Sequence, residues 1–334
     1  MMFAGHLREV YPELNDDGTL KDIDFSSIDK KVQTYLDCGV DRKELKLIFN
    51  LHKFIFIWRD KNGNLRPPNP KVPYATPVWE AAFKDFMTRF YAHLQHKFNL
   101  TPKQIIIYTG DEPEGDINDK NSRMYRVWYL GKLVREAVPQ AALITNPVPR
   151  NGYDAVYMNG LKRLSEQLDY VIVLERFKSP EFLALFKKAG VTIWTYSVRT
   201  TKTTAPSDYR RMFSRSFREE IGTANAFWAI DSYSGEGFDS LDTNSGDDYT
   251  DYGAAFCDMN HGTILSGRRL EAHVQGILDM KALLLCKKLI REKGTPADAR
   301  RLDAIAERMV LGNCDQQDRC HVEVLNMICE LQNK

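Results

Sequence analysis

Two adjacent carboxylates are the residues of this chain most suggestive of chemistry. They lie near the end of the stretch Gln104–Pro113, which has the sequence QIIIYTGDEP. An apolar run typical of a buried β-strand stops there on a small-residue turn, and Asp111 and Glu112 follow at once. Two neighbouring carboxylates repel each other when both are ionised, which favours keeping one of them protonated, as a general acid must be. The pattern therefore indicates acid–base chemistry at the carboxyl end of a strand.

Residues of similar character follow the other predicted strands. In a parallel α/β barrel, the loops at the carboxyl ends of the strands meet over the barrel mouth and contain the active site. Carboxylates and flat aromatic rings there suit a sugar, because its C–H faces stack on rings and its hydroxyls need acceptors. We therefore predict a carbohydrate site in which Asp111 and Glu112 are catalytic. The predicted substrate-binding residues are Asn50, His52, Asn146, Glu175, Trp194, Tyr196, Trp228 and Asp231.

The second carboxylate of an ordinary retaining glycosidase is harder to find. That residue acts as the nucleophile and lies about 5 to 5.5 Å from the acid. The strand that commonly supplies it in related barrels is Thr192–Arg199 here, and it contains no carboxylate. The nucleophile is then either Glu175 or Asp231, or it is the substrate's own acetamido group. In the second scheme we assign Glu112 as the acid and base, and Asp111 as the residue that orients the acetamide.

The elements that position these residues alternate along the chain as amphipathic helices and short apolar runs. This alternation is typical of a parallel sheet with crossover helices. Strands are predicted at residues 45–51, 105–108, 141–145, 170–174, 191–196 and 226–230. Helices are predicted at residues 25–38, 78–98, 124–138, 161–168, 181–189 and 208–221, with further helices in the C-terminal part.

About six strand–helix units are thus predicted, whereas a closed (β/α)8 barrel has eight strands. We place the two missing strands at the front and expect an N-terminally incomplete (β/α)8 TIM-type barrel over residues 1–292, either a fragment or an open barrel. A helical extension is expected over residues 293–334. A doubly wound nucleotide-binding sheet is disfavoured, because the first strand–helix turn lacks a Gly-x-Gly-x-x-Gly fingerprint and the chain has no P-loop. No cofactor is therefore expected.

Composition narrows the class of partner. The chain has 334 residues, and its 46 Lys and Arg residues balance 45 Asp and Glu residues, so charge gives no reason to expect nucleic acid or an anionic membrane as partner. There is no run of about 18 apolar residues and no signal-peptide core at the start of this chain. The six cysteines have no metal-site spacing. We predict a neutral carbohydrate as the partner and make no prediction of compartment or oligomeric state.

Four segments resemble glycoside hydrolase family 123 and its TIM-barrel relatives. They are the Asp-Glu-Pro turn at 111–113, Trp-Thr-Tyr at 194–196, Phe-Trp-Ala at 227–229 and the segment SGRRLEAHVQGILD at 266–279. The last segment is the most specific, since Arg269 to Ala272, Gly276, Ile277 and Asp279 reproduce the family's pattern. The likeness extends from about residue 24 to about residue 289.

The resemblance implies an exo-acting β-N-acetylgalactosaminidase that works through an oxazoline intermediate. By position, Asp111 and Glu112 inherit the roles of the family's Asp-Glu pair. The aromatic residues Trp194, Tyr196 and Trp228 inherit sugar contacts.

The chain also departs from the family. Residues 246–248 and 255–257 differ from the family's turn and aromatic residue after the last strand, which leaves the substrate open. Two alternatives therefore stand beside the leading hypothesis. One is a glycosidase of other sugar specificity that uses Glu112 with Glu175 or Asp231, and the other is a non-catalytic carbohydrate-binding barrel fragment.

Overall fold

The chain divides into two compact units. The N-terminal unit comprises residues 1–173 and 177–192, and the C-terminal unit comprises residues 174–176 and 193–334. A computed structural model describes residues 2–7, 10, 12–51, 58–59, 65–66, 72–149, 152–197, 204–221, 224–227, 231–232, 252–258 and 263–334.

Fifteen strands occur in the described part of the chain. In chain order they are β1 (Met2–His6), β2 (Pro12–Leu14), β3 (Leu20–Ile23), β4 (Leu47–Asn50), β5 (Trp58–Arg59), β6 (Leu65–Arg66), β7 (Ile105–Asp111), β8 (Ala142–Asn146), β9 (Tyr170–Leu174), β10 (Thr192–Ser197), β11 (Asn225–Phe227), β12 (Asp231–Ser232), β13 (Tyr252–Gly253), β14 (Ala255–Asp258) and β15 (Thr263–Ser266). Four antiparallel pairs, β2–β3, β5–β6, β12–β13 and β14–β15, form small separate ladders.

Nine α-helices occur in the same described ranges. They are α1 (Ser26–Asp37), α2 (Pro77–Phe98), α3 (Arg123–Ala137), α4 (Ala155–Ser165), α5 (Pro180–Lys188), α6 (Pro206–Arg218), α7 (Arg268–Lys293), α8 (Pro296–Leu311) and α9 (Cys314–Gln332). None of these helices combines the length and hydropathy needed to cross a bilayer.

The N-terminal unit is built on a parallel sheet. Its strands lie in the order β1, β4, β7, β8, β9, and helices α1, α2, α3 and α4 link each strand to the next. The strands follow chain order without a reversal. Right-handed crossovers then place the linking helices on one face, as in a (β/α)8 barrel and unlike a doubly wound sheet.

The C-terminal unit contains two parallel strands and a helical layer. Strands β10 and β11 are parallel and joined through α6. Helices α6, α7, α8 and α9 share an apolar core that includes the buried side chains of Phe213, Leu283, Ile305 and Val324. Seven parallel strands are thus described, against eight in a closed barrel. The predicted fold class, an incomplete (β/α)8 barrel with C-terminal helices, is confirmed.

Helix α2 shows how local sequence sets the bounds of an element. The Thr76 hydroxyl accepts a hydrogen bond from the Trp79 backbone N–H at 3.3 Å, and Pro77 occupies the first turn, where a backbone N–H has no helical partner. Asn99 ends the helix in the left-handed conformation with φ of 54°. The helix predicted at residues 78–98 is confirmed to within one residue.

One prediction about the start of the fold was wrong. We expected a helix to come first, but β1 precedes it and pairs in parallel with β4. The segment Met2–His6 is only five residues long and contains Ala and Gly, which have low β-propensity, so its pairing with β4 outweighs a weak local signal. Each of the six predicted strands overlaps a described strand, and residues 228–230 of the last one lie outside the described residues. The predicted division between residues 292 and 293 stays a prediction and falls at the end of α7.

Candidate functional site

A β-bulge in β7 places Tyr108 and Asp111 on the same face of the sheet. Tyr108 pairs with Ile144 of β8 and Asp111 pairs with Asn146, so β7 advances three residues while β8 advances two. Side chains alternate between faces along a strand, so positions 108 and 111 would face opposite sides of a regular strand. The additional residue brings the Asp111 carboxylate to the Tyr108 hydroxyl.

Two side chains hold the Asp111 carboxylate. The Tyr108 hydroxyl donates a hydrogen bond to Oδ1 at 2.8 Å, and Nδ2 of Asn146 donates to the same oxygen at 2.8 Å. One donor comes from the strand that contains Asp111 and the other from β8. The fold itself therefore orients this carboxylate, because both donors belong to neighbouring strands of one sheet.

The Asn146 amide is itself oriented by its neighbours. Its Oδ1 accepts a hydrogen bond from the Glu112 backbone N–H at 3.1 Å and is also in contact with the Tyr108 hydroxyl. A reversed amide would set its NH2 group against the Glu112 N–H, so the amide nitrogen must face Asp111. Asn146 is only 7% exposed and thus links the two predicted catalytic residues from inside the sheet.

Glu112 has an unusual backbone. Its φ of 44° lies in the left-handed region, which non-glycine residues rarely enter. Such a conformation costs about 1–3 kcal/mol and persists only where neighbouring contacts enforce it. Here Asn146 holds the N–H, and the carbonyl accepts a hydrogen bond from Nη1 of Arg123 at 3.3 Å. Strain of this kind is concentrated at functional sites.

Asn50 joins the same group. It is the last residue of β4, is buried, and pairs directly with Tyr108 of β7. Side chains at paired positions of neighbouring parallel strands share a face. The structure therefore brings together four of the predicted site residues and one that was not predicted. We call this group the carboxylate cluster; its members are Asn50, Tyr108, Asp111, Glu112 and Asn146.

Glu175 belongs to the C-terminal unit, where it begins a short 3-10 helix after β9. Its Oε2 lies 3.2 Å from Nη1 of Arg215 on α6. Both residues line a cavity of about 390 Å³ whose charged walls also include Arg176, Asp208 and Arg211. Arg211 is paired with Asp208. Three guanidinium groups and two carboxylates make this cavity suited to a polar ligand.

The remaining predicted residues are placed less fully. Trp194 and Tyr196 lie two residues apart on β10, so they share a face, and neither lines that cavity. Trp194 is 5% exposed, and its role as a sugar contact stays a prediction. His52 and Trp228 lie outside the described residues. Asp231 begins β12, but its side chain is outside the described part.

Metal-ligating side chains do not converge in the described ranges, where no group of three or more His, Cys, Asp or Glu side chains could hold an ion. Five of the six cysteines are free thiols: Cys38, Cys286, Cys314, Cys320 and Cys329; the Cys257 side chain is outside the described part. Polar groups do converge in the carboxylate cluster and in the C-terminal cavity.

Several polar residues of these sites were not predicted from the sequence, among them Tyr108, Arg123 and Arg215. Tyr108 lies inside the predicted strand, and its hydroxyl reaches Asp111 only because of the bulge. Arg123 and Arg215 lie on helices, and their contacts with Glu112 and Glu175 depend on packing across many residues. For the contact between Tyr108 and Asp111, the one local signal in the sequence was a tyrosine three residues before a carboxylate at the end of a strand.

Comparisons with known proteins give low similarity. No family model and no curated protein matches the chain. Among solved structures, it is similar to an intracellular xylanase from Thermoanaerobacterium saccharolyticum, with 15% identity and a TM-score of 0.42 over 67% of this chain and 76% of that chain. It is also similar to xylanase 10B from Thermotoga petrophila, with 14% identity and a TM-score of 0.44 over 78% and 80%. These values leave the reaction and the substrate open.

Proposed function

We propose that this protein hydrolyses glycosidic bonds, and that its substrate is a terminal β-linked N-acetylhexosamine. The observation that carries the proposal is the Asp111 carboxylate, fixed by Tyr108 and Asn146 and followed at once by Glu112. A preference for β-N-acetylgalactosaminides rests on the resemblance to glycoside hydrolase family 123.

The proposed reaction is retaining and assisted by the substrate. Glu112 gives its proton to the glycosidic oxygen while the acetamido carbonyl oxygen of the substrate forms a bond to C1, and the bond from C1 to the leaving group breaks. The product of this step is an oxazolinium ion, in which the acetamido nitrogen keeps its proton. Water then attacks C1 and loses a proton to the Glu112 carboxylate, which reopens the ring and restores the acid.

Asp111 suits the second role in this scheme. An acetamide attacks well only when its carbonyl faces C1, so its N–H must be held by an acceptor. Hydrogen bonds from Tyr108 and Asn146 to one oxygen of Asp111 fix the plane of the carboxylate. The strained backbone of Glu112, tied to the Asn146 amide, fixes the direction in which the acid leaves the strand.

Hydrolysis of aryl β-N-acetylgalactosaminide, β-N-acetylglucosaminide and plain β-galactoside tests the proposal. We expect turnover of the acetamido sugars only, a large loss in Glu112→Gln, and a loss in Asp111→Asn. A leaving group that needs no protonation should partly rescue Glu112→Gln, because its role as acid is then dispensable.

The variant Glu175→Gln discriminates the alternative enzyme. Glu175 lines a polar cavity, which favours it as a second functional carboxylate. Turnover of the plain galactoside that is lost in Glu175→Gln would support a conventional nucleophile and contradict the substrate-assisted scheme. Sugar binding without turnover, unchanged in Glu112→Gln, would identify a carbohydrate-binding protein instead.

A further inference from the structure

Helix α7 exposes several apolar side chains on the face opposite to its buried one. One face packs inside the C-terminal unit, where Leu283 and Cys286 are fully buried. The other face exposes Val274, Leu278 and Leu285, which are 49%, 45% and 44% accessible. Exposed apolar side chains grouped on one helix face mark a candidate interaction surface.

The exposed residues follow the spacing of a coiled coil. Together with the exposed charged residues Glu271, Lys281 and Lys288, they occur at alternating intervals of three and four residues, which is the a and d spacing of a heptad. We call them the α7 seam; its members are Glu271, Val274, Leu278, Lys281, Leu285 and Lys288, all exposed. Ile277 and Leu284, each 37% accessible, widen the stripe on one side.

The α7 seam is complementary to itself when two copies run antiparallel. The facing layers then pair Glu271 with Lys288, Val274 with Leu285, and Leu278 with Lys281. Two-fold symmetry makes each of these layers occur twice. The alkyl stem of Lys281 covers Leu278 in the central layers. A parallel arrangement would instead set Glu271, Lys281 and Lys288 each against its own copy, which like-charge repulsion disfavours.

We propose that the α7 seam is a homodimer interface in which two copies of this chain pair antiparallel. Within its own helix Lys288 lies 3.9 Å from Glu292, an exposed contact of little strength, so its ammonium group can also face Glu271 of the second copy. From Glu271 to Lys288 the seam is about 26 Å long at 1.5 Å per residue. So short an interface predicts a dimer that dissociates on dilution.

Sedimentation equilibrium over a concentration series tests the proposal by charge reversal. Glu271→Lys or Lys288→Glu replaces two attractive pairs per dimer by two repulsive ones, and each should raise the Kd roughly tenfold. The double variant Glu271→Lys with Lys288→Glu restores both pairs and should return the Kd close to that of the wild type. Asp303→Lys, an exposed charge reversal on α8, is the matched control and should leave the Kd unchanged.

Cysteine cross-linking tests the orientation separately. The double variant Val274→Cys with Leu285→Cys should form an intermolecular disulfide under mild oxidation, whereas Val274→Cys alone should not, because the two copies of position 274 lie far apart in the antiparallel pair. Circular dichroism verifies that each variant is folded. A wild type that stays at 38.5 kDa throughout the concentration series, or a double charge variant as weak as its parents, would overturn the proposal.

Discussion

Removing the carboxylate of Asp279 should strongly destabilise the C-terminal unit, because this residue neutralises a buried guanidinium group. Asp279 on α7 has no exposed surface, and the Arg210 side chain on α6 is 4% exposed. Nε and Nη2 of Arg210 donate hydrogen bonds to the two carboxylate oxygens at 2.9 and 3.2 Å. Asp279→Ala leaves this guanidinium buried, with Asp318, largely exposed to solvent, as its remaining carboxylate partner.

The expected magnitude follows from this geometry. Removing one partner of a buried ion pair typically costs about 3–5 kcal/mol. Because Nη1 of Arg210 keeps its 2.5 Å contact with Asp318, we expect the lower end, about 3 kcal/mol, for Asp279→Ala. In a unit of this size the melting temperature should fall by roughly 6–12 °C. The double variant Arg210→Met with Asp279→Leu removes the uncompensated charge, so its free energy of unfolding should differ from that of the wild type by no more than about 1 kcal/mol.

Unfolding in guanidinium chloride, followed by far-UV circular dichroism, measures these changes in the free energy of unfolding. The variant Glu323→Ala is the matched control. Glu323 on α9 forms a similar fork with Arg308 on α8, at 2.5 and 3.0 Å, but on the surface. Loss of that exposed pair should cost under about 1 kcal/mol. If Asp279→Ala is no more destabilising than Glu323→Ala, burial of Arg210 does not set the cost of removing its partner.

Three further outcomes are expected. Burial lowers the pKa of His273 from 6.5 to about 4. Below pH 6.5 the unfolded chain therefore binds a proton that the folded chain does not bind, and acid destabilises the fold. In unfolding titrations, His273→Leu should remove up to about 3 kcal/mol of this acid destabilisation. Gly276→Ala puts a Cβ 2.4 Å from the Phe213 ring and should lower stability by about 1–3 kcal/mol in thermal unfolding. Asn146→Ala releases Asp111, so steady-state assays should show kcat/KM reduced by roughly 10².

The sequence predicted the strand that ends at the carboxylates because the signal is local. The run Ile105–Ile107 is β-branched throughout, and a turn of small residues follows it. Asn146 could be predicted as a neighbour because strand ends of a parallel sheet meet at one edge. Both expectations rest on patterns within a few residues, and the structure brings Asp111 and Asn146 into contact.

The bulge in β7 could not be predicted in the same way. A regular strand would separate Tyr108 from Asp111, and the additional residue is defined only by the register against β8. The role of Tyr108 therefore depends on a pairing between segments more than thirty residues apart. Arg215 escaped prediction for a related reason, because its contact with Glu175 is made by the packing of α6.

Segment 266–279, which resembles glycoside hydrolase family 123, includes residues whose pattern is explained by helix packing. Gly276 allows close approach of α7 to Phe213 and the Arg210 backbone on α6, and Asp279 neutralises the Arg210 side chain. The sequence singled out these residues by their pattern. Their packing partners lie about seventy residues earlier and became visible only in the fold.

We propose Glu112 as the acid of a substrate-assisted glycosidase. Its role is tested by measuring release of the aryl group from β-N-acetylgalactosaminide and from plain β-galactoside by the wild type and by Glu112→Gln. We expect turnover of the acetamido sugar alone and its loss in the variant. Equal rates for the two proteins, or equal turnover of both sugars by the wild type, would contradict the proposal.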